Sequence, residues 1–103
     1  MTYKSVASLK EIPPGATLVV EVGDQEILLC HIADEGIYAI DNLCSHDDGP
    51  LDGGEFFDHC VECPRHGARF DVRTGAVLRM PAITALRSYP VKVEDSRVLI
   101  AVE

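Results

Sequence analysis

Apolar positions along the chain fall in short runs, several of them alternating with polar residues and each cut by a turn signal. Residues 3–7 read as a first strand. A loop at 8–15 ends in Pro13-Pro14-Gly15. Strands at 16–22 and 25–33 flank Gly23-Asp24, which reads as a tight hairpin, and Asp34-Glu35-Gly36 turns the chain into a strand at 37–41. The acidic, glycine-rich span 47–54 is a loop, followed by an expected strand at 55–62 and others at 69–72 and 76–79, with Thr74-Gly75 between them. A last hairpin is expected from 86–94 and 97–102 around Asp95-Ser96, with Pro90 tolerated best on a sheet edge. No stretch keeps a helical period over a useful length. The expected fold class is therefore all-β, a small antiparallel sandwich or barrel of short strands. With no internal repeat, low-complexity segment or linker, residues 1–103 are expected to form one domain.

Such a domain buries a core of its own, but a small one, with three tyrosines, three phenylalanines and no tryptophan. A metal centre joining two loops would add stability that this core does not supply. Nine Lys and Arg against seventeen Asp and Glu give a formal net charge of −8, which argues against nucleic acid or an anionic membrane as partner. An acidic surface of this kind also suits steering towards a basic docking patch. The sequence from Met1 to Ser5 lacks the apolar core of a signal peptide, and no apolar run approaches the roughly 18 residues of a membrane span. A cytoplasmic location with reduced thiols is the expectation.

The candidate chemistry is concentrated at 43–70. Cys44-Ser45-His46 and Cys63-Pro64-Arg65-His66 are separated by the sixteen residues 47–62, and each offers one thiol and one imidazole. Two sulfur and two nitrogen ligands suit zinc or an iron–sulfur centre. A structural zinc site draws its cysteines from one knuckle and its histidines from another. Here each loop mixes the two types, and a two-iron cluster accounts for the mixture: one cysteine from each loop for one iron, one histidine from each for the other. Cys60-Val61-Glu62-Cys63 also fits C-x2-C, but a thioredoxin-like pair belongs at the start of a helix. The flanks here read as a strand entering a proline-stopped loop, so Cys60 is expected to be no ligand. Cys30 reads as a core residue, and His31 and His59 as structural or exposed.

The pattern C-x-H, sixteen residues, C-x2-H resembles the Rieske [2Fe–2S] motif, and so does its continuation through residues 67–75 and Met80-Pro81-Ala82. The resemblance covers most of the chain. It implies the all-β fold with a two-loop cluster-binding tip, one [2Fe–2S] cluster per chain, and Cys44, His46, Cys63 and His66 as ligands. It also implies that the segment around Pro81 covers the cluster from the side and that the two histidines form an exposed electron port. With both irons ferric, two sulfides and two thiolates leave a neutral centre, whereas four thiolates would leave a dianion. An electron enters the neutral centre more easily, which places such sites between about −150 and +300 mV.

Departures from the high-potential branch of that family bear on this value. The branch joins the two loops by a disulfide at the positions of Gly49 and Arg65, and sets hydroxyls against the cluster sulfurs where this chain has Ala68 and Phe70. Hydrogen bonds to sulfur stabilise the reduced state, so their absence predicts a midpoint near the low end, roughly −150 mV and below zero. Asp47 and Asp48 push the same way, and Arg65 and Arg69 oppose them.

The implied function is a one-electron carrier: a Rieske-type ferredoxin taking electrons from a flavin-dependent ferredoxin reductase and giving them to a terminal oxygenase, with an aromatic-ring-hydroxylating dioxygenase as the expected system. No GxGxxG loop is present, and the length leaves no room for a mononuclear iron domain, so no substrate turnover is expected from the chain alone. The carrier is expected to act as a monomer, without nucleic acid or membrane. A Rieske-like small subunit of a larger reductase, such as nitrite reductase, is the alternative; a zinc-stabilised interaction module is a third.

Overall fold

The computed structural model describes residues 2–102. Among the described residues there are eleven strands: β1 (Thr2–Ser8), β2 (Thr17–Val22), β3 (Gln25–Ile32), β4 (Gly36–Asp41), β5 (Phe56–Phe57), β6 (Cys60–Glu62), β7 (Arg69–Asp71), β8 (Val77–Arg79), β9 (Ser88–Tyr89), β10 (Val91–Glu94) and β11 (Arg97–Val102). They pair antiparallel throughout, in three sheets ordered β1-β11-β10, β2-β3-β4-β9 and β5-β6-β7-β8. Among the described residues no helix is long and apolar enough to cross a membrane. The all-β expectation holds.

Strand β3 explains the layering. Its run Ile27-Leu28-Leu29-Cys30 is fully buried, so both faces of the strand are covered. Successive side chains point to opposite faces of a strand. Ile27 and Leu29 join an outer core with Ala7, Val98, Ile100 and Val102 from the β1-β11-β10 sheet. Leu28, Cys30 and Ile32 join an inner core with Val61 and Phe70 from the β5-β6-β7-β8 sheet, together with Cys44 and Cys63. The middle sheet thus lies between two apolar cores, and only the inner one reaches the candidate ligands.

Two of the expected hairpins form as read. Val22 pairs with Gln25 around Gly23-Asp24, and Glu94 pairs with Arg97 around Asp95-Ser96. Asp95 and Ser96 both take positive φ, 51° and 64°, as a primed two-residue turn requires. Three expectations need correction. The stretch 55–62 is a hairpin, not a strand: Phe57 pairs with Cys60, and Asp58 turns the chain at φ 53°. The stretch 86–94 is two strands in two sheets, because Pro90 has no N–H to continue a ladder; β9 pairs with β4 before it and β10 with β11 after it. Both are edge strands, as expected for a proline. Finally, the loop at 8–15 contains a 3₁₀ turn at Leu9–Glu11, where the Glu11 carboxylate accepts from the Ser8 backbone N–H at 2.8 Å.

Tyr89, in the short β9, is buried, and its hydroxyl donates to Asp41 Oδ1 at 2.5 Å. Tyr89→Phe is expected to destabilise the protein by about 2 kcal/mol in urea unfolding, since a hydrogen bond to a charged acceptor is lost. Burial, then the bond to the Asp41 carboxylate, raises the phenol from its ordinary 10.0 to about 12. The folded state therefore holds this proton more tightly than the unfolded chain does. The contribution is complete below pH 10.0 and is lost as pH climbs towards about 12. Urea midpoints of parent and variant should converge over that interval; a constant gap would show that the hydroxyl does not titrate with folding.

Candidate metal centre

Two loops converge beside the inner core. The first, at 42–55, runs from β4 in the middle sheet to β5 in the inner one; the second, at 63–68, joins β6 to β7. The second is a hairpin end within the inner sheet, and the first is a crossing between layers.

The first loop is pinned at its base by Asn42, one of the few buried polar residues. Its Oδ1 accepts from the backbone N–H groups of Leu51 (2.9 Å) and Asp52 (3.0 Å), and its Nδ2 donates to Asp52 Oδ1 (2.7 Å) and Glu26 Oε1 (3.2 Å). The carboxamide thus closes the loop on itself. Within it, the Cys44 N–H donates to Gly49 O at 2.7 Å and the Asp48 N–H to Cys44 O at 2.8 Å. In the second loop the Cys63 N–H donates to Ala68 O at 2.7 Å, and the Gly67 N–H to Cys63 O at 3.1 Å. Gly54 lets the two approach, since a Cβ there would lie 1.8 Å from the Glu62 carbonyl oxygen.

These constraints bring the two thiols together, and separately the two imidazoles. Cys44 and Cys63 are free thiols, fully buried at 0% and 1% exposure. His46 and His66 are exposed, with ring centroids 5.1 Å apart in an edge-to-face arrangement. Each loop therefore contributes one inner sulfur and one outer imidazole. Burial raises the Cys44 thiol and the adjacent Cys63 thiol raises it further, while the backbone N–H groups of His46 and Asp47 favour the thiolate. Two buried sulfurs that are close, unlinked and supplied with N–H donors are the donor set a thiolate-bound metal needs.

Asp47 is the residue that sequence reasoning treated only as a background charge. One of its carboxylate oxygens and the sulfurs of Cys44 and Cys63 all lie within 4.8 Å of one another. Hydrogen bonds from Arg65, then from the Gly49 N–H, hold this carboxyl well below the usual range. The signal in the sequence was positional: an acid directly after His46 and a base directly before His66. Arg65 itself covers Gly49, so the two positions that carry a disulfide in the high-potential branch are in contact here through a guanidinium instead.

The remaining candidates stay out of the group. Cys60 is buried and lies outside the set formed by Cys44, Cys63 and Asp47. Cys30 belongs to the inner core, where burial pushes its thiol up to about 12. His31 Nδ1 lies 2.6 Å from Ile12 O, which gives that ring a structural role. The segment after β8 packs against the first loop: Ser45 Oγ donates to Thr84 O at 2.5 Å, and Ala82 is buried in the inner core to which both thiols belong.

The model of the Rieske [2Fe-2S] domain matches residues 2–90. The chain belongs to that family. Its cofactor is a [2Fe–2S] cluster, which the paired thiols and imidazoles fit. The Rieske chain is 45% identical over 107 residues to the naphthalene 1,2-dioxygenase system ferredoxin component of Pseudomonas aeruginosa, covering 97% of each. Among solved structures, the ferredoxin of carbazole 1,9a-dioxygenase from Nocardioides aromaticivorans IC177 superposes with a TM-score of 0.93 at 38% identity, covering 100% of both chains. A second match comes from a complex of reduced oxygenase and oxidised ferredoxin in carbazole 1,9a-dioxygenase, with a TM-score of 0.87 at 27% identity over 96% of this chain and 92% of that one.

Proposed function

We propose that this chain is a one-electron carrier, the ferredoxin component of a ring-hydroxylating dioxygenase system, in which Cys44 and Cys63 bind one iron and His46 and His66 the other. The observation that carries this reading is the separation within the donor set, with both sulfurs buried and both imidazoles at the surface. When bound, the cluster supplies reversible one-electron redox chemistry. The two thiols and the inner core keep water from the protein side of the centre, and the two imidazoles present its outer side to a partner. Leu43, Met80 and Ile83 are exposed large apolar side chains, Ile83 at 86%. Leu43 precedes Cys44, and the segment bearing Met80 and Ile83 is tied to Ser45, so the apolar rim belongs to the electron port.

A flavin-dependent reductase is the donor in this reading and a terminal oxygenase the acceptor; the chain itself catalyses nothing. The complete donor set counts against a merely structural small subunit of a larger reductase. Electron paramagnetic resonance of the dithionite-reduced protein tests the ligand reading. A rhombic signal of low average g is expected, with a potentiometric midpoint below zero and near about −150 mV. A plant-type ferredoxin signal would bring Cys60 into the ligand set, a midpoint above about +150 mV would overturn the role given to the missing hydroxyls, and a colourless zinc protein would end the carrier reading.

A further inference from the structure

Arg65 and Asp47 meet across the gap between the loops. Arg65 Nε donates to Asp47 Oδ2 at 2.5 Å, Nη2 to Asp47 Oδ1 at 3.0 Å and Nη1 to Pro50 O at 2.8 Å. The Gly49 N–H adds a bond to Asp47 Oδ1 at 3.0 Å. Both carboxylate oxygens are therefore engaged. The same carboxylate has an oxygen in a group with both thiol sulfurs, all within 4.8 Å, which neither imidazole joins among the described residues. Its Oδ2 is also 3.3 Å from His66 Nδ1. The fold thus delivers a competing donor to the centre: a carboxylate is an effective oxygen ligand for iron and, unlike imidazole, carries a charge.

We propose that Arg65 is a specificity-determining positioning residue, which keeps the Asp47 carboxylate from taking the ligand position of a neutral imidazole. The inference rests on the ligand reading above. A forked guanidinium suits the task because it binds both oxygens in one plane, which a lysine cannot do. Gly49 permits the arrangement: a Cβ at that position would stand 2.6 Å from Arg65 Cζ and 2.7 Å from Nη2. Ala at position 49 would therefore push the guanidinium away without changing any charge.

Pulsed electron paramagnetic resonance of the reduced, cluster-loaded protein counts the histidine nitrogens coupled to the cluster. The parent and Asp47→Asn should each show two. Arg65→Met and Gly49→Ala should each show a second species with one coupled nitrogen and a raised average g. Arg65→Met combined with Asp47→Asn should restore two. Midpoint potential alone does not discriminate, since loss of a cation lowers it in any case; the nitrogen count does. Arg65→Met with two nitrogens and parental g values overturns the inference, as does a loss that Asp47→Asn fails to restore. If Arg65→Met holds no cluster, recovery in the double variant supports the inference and continued loss overturns it. A parent protein with fewer than two coupled nitrogens sinks the ligand reading itself, and the inference with it, before any variant is compared.

Discussion

Replacing His66 with cysteine lowers the midpoint potential of the cluster-loaded protein by on the order of 100 mV. The direction follows from charge, because a neutral ligand becomes an anionic thiolate and the added electron enters a more negative centre. The size follows from the family of centres. Sites with two histidines begin near −150 mV and four-cysteine ferredoxins of the plant type lie near about −400 mV, so one exchange accounts for roughly half of that gap. Solvent moderates the effect, since the His66 side chain is 50% exposed. A titration followed by visible circular dichroism measures the shift. An unchanged midpoint in a loaded variant would remove His66 from the ligand set. In a reconstituted chain of donor, carrier and oxygenase the variant should slow turnover at the reduction step, because a donor matched to the parent no longer reduces it efficiently.

The sequence points to a candidate centre more plainly than to its supports. Cys44, His46, Cys63 and His66 stand out as candidate ligands because a metal site would impose residue type and spacing together. The turns at Gly23-Asp24 and Asp95-Ser96 are recognisable because few residues accept their backbone angles. Asp58-His59 carries no glycine, so a hairpin turn there passes for the middle of a strand. At Pro90 the apolar alternation runs on while the hydrogen-bonding partner changes from β4 to β11, and periodicity holds no information about which sheet a strand joins. The Arg65–Asp47 pair was hidden for a related reason. It spans 18 residues, and its geometry depends on a crossing between layers that no local pattern encodes.

Phe70→Ala should show how far the two cores serve different ends. Phe70 is the largest of the fully buried side chains and shares the inner core with Cys44, Cys63 and Ala68. Its removal is expected to destabilise the protein by about 3–5 kcal/mol, a large part of the roughly 5–15 kcal/mol typical of a whole domain. Ile100→Ala, on β11 in the outer core, should cost about 2–5 kcal/mol by the same loss of packing. The two should differ in what they do to the cluster. A cavity at Phe70 loosens the floor beneath both sulfurs, so bleaching of the visible bands should accelerate under native conditions, well before the sheets unfold. A cavity at Ile100 leaves that floor intact, because β3 and β4 stand between it and the loops; bleaching there should track global unfolding. The comparison is made on anaerobic samples, with bleaching rates read against urea midpoints from far-ultraviolet circular dichroism. If both variants bleach in proportion to their lost stability, the cluster leaves only through global unfolding, and the inner core has no separate hold on the ligand loops.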